Sequence, residues 1–315
     1  MITKSMSTSS PIGSAKPVSD PSKVGFPILI SYHYLRGWSN EHKSYILSGK
    51  AKRDGFEIML DSGAFSAKNC GAEIKLAEYM DFLQEHGRHF EGGYVALDVL
   101  GEPKQTSVNL NTMFGEGLTP MPVHVWGDDD KKMDELFELS EKVCLGGFKR
   151  PNRGSAPKEY VVQKMRWAKG RDVHWLGHCR QKHITSMLPH SCDSTSWQSA
   201  RRFGVASVYV GGGRMLKIHR NDRNTYQINH EVLDKFLCDA GVSRTEFRDT
   251  KGWVGEDGVH NKVTTLSWVR YSHELRKRFG VRYCLALNLL IEVHRFLTII
   301  QKEKGRREAS VFNSN

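Results

Sequence analysis

From Phe26 onward, short apolar runs alternate with longer segments whose apolar residues recur at helical spacing. The runs are Pro27–Ser31, Phe56–Leu60, Tyr94–Leu97, Pro122–Trp126, Val143–Leu145, Val173–Leu176, Ser191–Cys192 and Ala206–Val210. Most have the length of a buried strand. Between them the spacing predicts helices over Ile74–His86, Lys104–Phe114, Lys131–Leu139, Pro157–Ala168, Gln181–Leu188 and Gln198–Phe203. His42–Lys52 carries a fainter helical pattern. Strands alternating with helices imply parallel pairing through right-handed crossovers. Eight such runs in one stretch favour a closed (β/α)8 TIM barrel over an open, doubly wound sheet. The seventh run, Ser191–Cys192, is the shortest.

After Gly213 the alternation stops. Arg214–Arg223 is polar and basic, and Glu231–Ala240 and Thr264–Phe279 read as helices, the latter carrying Arg270, Arg276, Lys277 and Arg278. Tyr283–Ile300 is apolar but broken by Asn288, Glu292, His294 and Arg295, which predicts a buried or amphipathic helix and excludes a membrane span. Residues 1–23 are rich in Ser, Pro and Lys without an apolar segment, the composition of a disordered arm. The expected division is an arm over 1–23, a barrel over 24–220, and a basic, helical C-terminal extension over 221–315 packed on the barrel. A separate small C-terminal domain is the alternative.

Charge adds a partner to this picture. With 46 Lys and Arg against 35 Asp and Glu, the chain has a formal net charge of +11. A polyanion is the simplest use of that excess, and nucleic acid is the commonest one. A basic protein that is merely soluble fits the number equally. The six cysteines (Cys70, Cys144, Cys179, Cys192, Cys238, Cys284) stand singly, without a C-x-x-C pair. Reduced thiols and the cytoplasm are the expectation.

In a barrel, the loops at the carboxyl ends of the strands build the site. Polar residues collect there: Asp61 after the second run, Asp98 after the third, Gly146 and Gly147 after the fifth, His178 after the sixth, Asp193 after the seventh, and Gly211-Gly212-Gly213-Arg214 after the eighth. A carboxylate at the end of a buried strand is partly desolvated, which suits acid/base or nucleophilic work. Singly, each aspartate reads equally well as a helix cap. Three at matching strand ends point to a site. Phe65 and Trp126 could hold a planar ligand between them or simply pack beneath a loop. The glycine turn with Arg214 could cradle a phosphate, or be a plain turn. Lys149 and Arg150 extend the same rim. His174, His178, Cys179, His183 and His190 crowd one stretch, but no spacing among them matches a structural zinc site, so no metal is expected.

Asp61-Ser62-Gly63-Ala64-Phe65 resembles the D-S-G-G-F signature of the tRNA-guanine transglycosylase superfamily, with Ala64 for the second glycine. Asp98, Gly146-Gly147 and Asp193 follow in that family's order. The resemblance covers roughly Phe26–Arg214. It implies Asp193 as nucleophile, Asp61 as general acid/base, Asp98 as reader of the guanine edge, and amides of Gly146 and Gly147 against the base carbonyl. Phe65, Trp126 and His178 would then wall the base, and Gly211, Gly212, Gly213, Arg214, Lys149 and Arg150 would meet phosphate. The C-x-C-x-x-C cluster of the tRNA enzymes has no counterpart, and Trp126-Gly127 replaces their Gln-Gly-Gly turn. These departures resemble the phage and bacterial branch that places 7-deazaguanines into DNA. No cofactor is implied, and a free 7-deazaguanine base is the small-molecule partner. The alternatives are the same exchange on tRNA, a carbohydrate-acting hydrolase using Asp61 and Asp193, and a nucleic-acid-binding barrel without catalysis.

Overall fold

The computed structural model describes residues 12–18, 24–150, 154–155, 158–198, 203–222, 230–249, 253 and 258–312. Its framework is a curled sheet of eight parallel strands. In chain order these are β1 (Phe26–Ser31), β2 (Phe56–Asp61), β3 (Gly93–Tyr94), β4 (Val123–His124), β5 (Lys142–Leu145), β8 (Asp172–Trp175), β9 (Ser191–Ser194) and β12 (Arg282–Leu287). Two short ribbons lie outside the sheet: β6 (Lys149–Arg150) with β7 (Gly154–Ser155), and β10 (Val205–Tyr209) with β11 (Met215–His219). The spatial order of the sheet is β3-β2-β1-β12-β9-β8-β5-β4.

Beyond this order, a parallel bridge between Val95 and Met121 links the chain just after β3 to the chain just before β4, the two edge strands. Ala96 N–H donates to Met121 O at 2.9 Å and Met121 N–H to Tyr94 O at 2.8 Å.

Alternation along the strands sends side chains into two separate cores, as expected for a parallel sheet buried on both faces. Phe26, Ile28 and Ile30 of β1, and Phe56, Ile58 and Leu60 of β2, meet the helices. Leu29, Met59, Val95, Met121, Val123, Cys144, Cys284 and Ala286 meet one another across the inside of the curl.

The first helices are short: α1 (Tyr32–Leu35), α2 (Asn40–Leu47), α3 (Lys50–Arg53) and α4 (Ala64–Asn69). Longer crossover helices follow in α5 (Leu76–His86), α6 (Pro103–Gly115), α7 (Lys131–Leu139), α8 (Lys158–Ala168) and α9 (Gln181–Met187). The later chain adds α10 (His230–Ala240), α11 (Arg244–Arg248), α12 (Val259–Phe279) and α13 (Leu290–Phe312). Local chemistry sets several boundaries. Pro103 opens α6, Ser243 and Glu246 form a reciprocal capping box on α11, and Gly280 ends α12 in a left-handed turn.

The eighth strand is not the expected one. Ala206–Val210 pairs antiparallel with β11, and the sheet instead takes Arg282–Leu287, which lies between β1 and β9 with Ile28 opposite Leu285 and Cys284 opposite Asp193. A barrel ending at residue 220 is therefore wrong: the later chain supplies a strand of the sheet itself. The expected helix over Tyr283–Ile300 is correspondingly part strand, part helix. Tyr283-Cys284-Leu285-Ala286-Leu287 has no β-branched residue, so its composition favours a helix while burial on both faces makes it a strand.

β10 stays outside because α12 occupies its free edge. Ser207 N–H donates to Thr264 Oγ1 and Tyr209 N–H to Ser267 Oγ, each at 3.0 Å, while Ser267 Oγ donates to Ser207 O at 2.7 Å.

Part of the expected disordered arm is also placed. Across residues 12–18, Ala15 N–H donates to Leu188 O and Val18 N–H to Arg276 O.

Candidate active site

The three aspartates meet at the carboxyl end of the sheet. Asp61 is the last residue of β2 and lies beside Ser31, the last residue of β1. Asp98 comes four residues after β3, and Asp193 is the third residue of β9. Asp193 is buried, while Asp61 and Asp98 keep part of their surface open to solvent.

Burial and neighbouring charge act on Asp61 and Asp98 unequally. Burial, then the charges of Asp98 and Asp193, push the Asp61 carboxyl up to about 7, against a smaller opposing pull from the Gly63 amide. Burial pushes Asp98 up to about 6, opposed by hydrogen bonds from its own backbone and from Ser62. Among the described residues, no lysine or arginine forms an ion pair with any of the three. The opposite end of the sheet is different. There Glu57 pairs with Arg276 at 3.4 Å and Arg282 at 3.2 Å, and Asp172 pairs with His190 at 2.9 Å.

Each acid is held by its local turn. Gly63 N–H donates to Asp61 Oδ2 at 3.0 Å, and buried Ser62 donates through Oγ to Asp98 Oδ1 at 3.3 Å. This turn requires glycine at position 63. Its φ is +82°, and a Cβ there would lie 2.6 Å from both His33 Cβ and Ser31 Oγ. Asp193 Oδ1 accepts from Gly177 N–H at 2.7 Å and lies 3.4 Å from His174 Nε2.

Sequence spacing did not single out Ser62, Gly177 or Ser191, and placed His174 only in a possible metal set. The usable signal was alternation within β8: Val173 and Trp175 join the helix-side core, so His174 must turn to the other face.

Several other expected site residues stand elsewhere or are already engaged. Gly146 N–H donates to His124 O at 2.9 Å as part of the sheet, so that amide is not available to a ligand carbonyl. Gly147, at φ +77°, approaches Trp126 so closely that a Cβ would lie 2.8 Å from Trp126 Cβ. The Trp126 ring packs on Tyr160 at 4.7 Å, and Tyr160 Oη donates to Gly146 O at 3.3 Å. Phe65 is 42% exposed in the first turn of α4.

His178 packs toward the helix-side core. It stacks on Phe148 at 4.2 Å, packs edge-on to Trp175, and shares a 2.9 Å hydrogen bond with His183. Phe148 and Trp175 belong to the helix-side core, whose burial lowers the His178 imidazole to about 4.

The triple glycine is the tip of the β10–β11 ribbon rather than a loop after a sheet strand. Arg214 N–H donates to Gly211 O at 3.1 Å and Gly213 N–H to Tyr209 Oη at 3.4 Å, so these two amides serve the turn. The Gln181 side-chain amide bonds to Gly213 O, which sets the tip beside the start of α9. Gly212 and Arg214 are exposed there. Lys149 and Arg150 contribute backbone to the β6–β7 ribbon, and their side chains lie outside what is described, as does Arg153.

Among the described residues, no three His, Cys, Asp or Glu side chains are grouped to hold a metal ion, and no helix is long and apolar enough to cross a membrane.

Fold and site together define an α/β protein with a partly desolvated acidic cluster at the carboxyl end of a curled parallel sheet. Comparison with protein-family models gives no match, and comparison with curated proteins gives no relative by sequence.

Proposed function

We propose that this chain is a base-exchanging transglycosylase that replaces guanine in DNA with a 7-deazaguanine, working at the open end of a (β/α)8 barrel whose seam is the Val95–Met121 bridge. The observation that carries this reading is the meeting of Asp61, Asp98 and Asp193 with no lysine or arginine ion pair to them among the described residues, and with Asp61 pushed up to about 7.

The reaction needs a nucleophile, a proton carrier and a reader of the base. Asp193 Oδ2, the oxygen engaged neither by Gly177 nor by His174, attacks the anomeric carbon, and the bond to the guanine ring nitrogen breaks. The bonding pair leaves with guanine, which takes a proton from Asp61. The incoming base then returns a ring N–H proton to Asp61 and attacks the same carbon, expelling Asp193 as carboxylate. A group titrating near 7 can run both transfers near neutral pH.

Asp98, ionised above about 6, accepts from the ring N–H and exocyclic amine that guanine-like bases present together. The target nucleotide leaves the stack, at a cost of a few kcal/mol, and exposed Phe65 follows Asp61 in the first turn of α4, where it could meet the base. The +11 charge, with Arg214 at the rim, suits a polyanionic strand.

Mass spectrometry of nucleosides tests the proposal, using DNA and tRNA from cells that express the chain and are supplied with 7-cyano-7-deazaguanine. Deazaguanine in DNA, lost with Asp193→Ala, is the expected result. Deazaguanine in tRNA alone would transfer the same chemistry to tRNA, and its absence from both would overturn the reading.

A further inference from the structure

The contact between Asp193 and His174 goes further than a count of acids. His174 is 1% exposed, and its ring spans two residues of the neighbouring strand. In register, His174 of β8 lies beside Ser191 of β9, and Asp193 is the next residue on the same face. Nδ1 is 2.8 Å from Ser191 Oγ, and Nε2 is 3.4 Å from Asp193 Oδ1.

Nε2 has no hydrogen-bond partner within ordinary geometry. A buried ring nitrogen without a partner is costly, and among the described residues the charged group that faces it is this carboxylate. Ser191 can supply its hydroxyl proton to Nδ1, which leaves the ring proton on Nε2, aimed at Asp193. Hydrogen bonds among reacting groups tighten when substrate orders them.

We propose that His174 is a positioning residue: through Nε2–H, and together with the Gly177 amide, it holds Asp193 Oδ1 so that Oδ2 is the oxygen presented for attack. The role rests on the transglycosylase reading, but the contact does not. A carboxylate that gains a covalent bond at one oxygen and later recovers the bonding pair benefits from fixed donors on the other. Without His174, only the Gly177 contact restrains Oδ1 in the described structure, and the carboxylate can rotate toward solvent.

Two measurements decide this. Long-range 1H–15N correlation on histidine-labelled protein, with His174 assigned by its loss in His174→Gln, reads the tautomer without any substrate. Protonated Nε2, shifted by Asp193→Asn, is expected. A neutral ring protonated on Nδ1 would overturn the proposal whatever the activity.

Single-turnover exchange on a guanine-containing oligonucleotide then reads the role. His174→Phe keeps the bulk and removes the donor, and should lower the rate of covalent-intermediate formation by about 30- to 100-fold with KM within about threefold. His174→Gln, whose amide reaches a similar point, should recover a large part of the rate. An unimpaired Phe variant, or a Gln variant as slow as Phe, would overturn the positioning role. Wild-type protein that exchanges no base in DNA or tRNA would remove the proposed function, while the tautomer measurement would still decide the contact.

Discussion

Asp61 sets a conflict between stability and the proposed chemistry. Its folded-state carboxyl sits at about 7, well above the value it takes in an unfolded chain. Between about pH 4 and pH 7 the folded state therefore binds more protons than the unfolded one, and stability falls as pH rises through that window. Asp98, at about 6, adds a smaller contribution of the same sign. Asp61→Asn removes the buried charge and should stabilise the fold by about 1–3 kcal/mol at pH 8, with little effect at pH 4. Denaturant melts at the two pH values check this, and equal shifts at both would show that the charge is not the cause. The same variant should lose base exchange. Gly63→Ala tests the turn that carries Asp61. A Cβ only 2.6 Å from His33 and Ser31, at φ +82°, should cost roughly 2–4 kcal/mol in a thermal or denaturant melt. The three aspartates were visible in the sequence because each directly follows an apolar run. The contacts that hold them were not: a backbone N–H such as that of Gly177 leaves no mark in a residue pattern, and Ser62, though part of the Asp61–Phe65 motif, does not show there that it bonds to Asp98.

Helix α12 decides which apolar run enters the sheet. Val205–Tyr209 is buried throughout and reads from sequence as a sheet strand. Thr264 and Ser267, one turn apart on α12, supply the hydroxyls that its edge would otherwise find in a neighbouring strand. Residue patterns register polarity and period, so a helix that caps a strand through side-chain hydroxyls escapes them. By the same logic the helices of the middle of the chain were legible. α5, α6 and α7 carry apolar faces at 3.6-residue spacing, and their bounds agree with expectation within about two residues. The true eighth strand was hidden for a compositional reason, being built of Arg, Tyr, Cys, Leu and Ala. Paired removal of the hydroxyls, Thr264→Val with Ser267→Ala, leaves buried amides of β10 unpaired. It should cost about 2–4 kcal/mol in total, detached from any loss at the aspartates. Hydrogen exchange should show faster exchange at Ser207 and Tyr209 while β1 and β2 stay protected. Uniform loss across all strands would show that the ribbon and the sheet unfold together.

At the scale of the whole chain, the placement of β12 makes the two ends of the sequence interdependent. The first strand, Phe26–Ser31, has β2 on one side and Arg282–Leu287 on the other, and the strand bearing Asp193 also leans on β12. A fragment ending at residue 220 would leave β1 and β9 with unpaired edges in the middle of the sheet, and would uncover Leu29, Met59 and Cys144 by removing Cys284 and Ala286 from the inner core. It would also lose Tyr283, Leu285 and Leu287 from the helix-side core, along with the α12 surface on which β10 rests. Each fully buried residue of that size contributes about 1.5–3 kcal/mol, so the deficit exceeds the few kcal/mol by which a domain is ordinarily stable. Residues 24–220 expressed alone should therefore be aggregated or loosely collapsed, with a broad melt and little amide protection. Residues 24–315 should unfold in one cooperative transition. Adding residues 258–312 in trans should restore protected amides in β1 and β9 if the sheet can be completed by a separate chain. A fragment 24–220 that melted sharply, with slow exchange at Ile28 and Cys192, would show that the parallel sheet closes without its last strand.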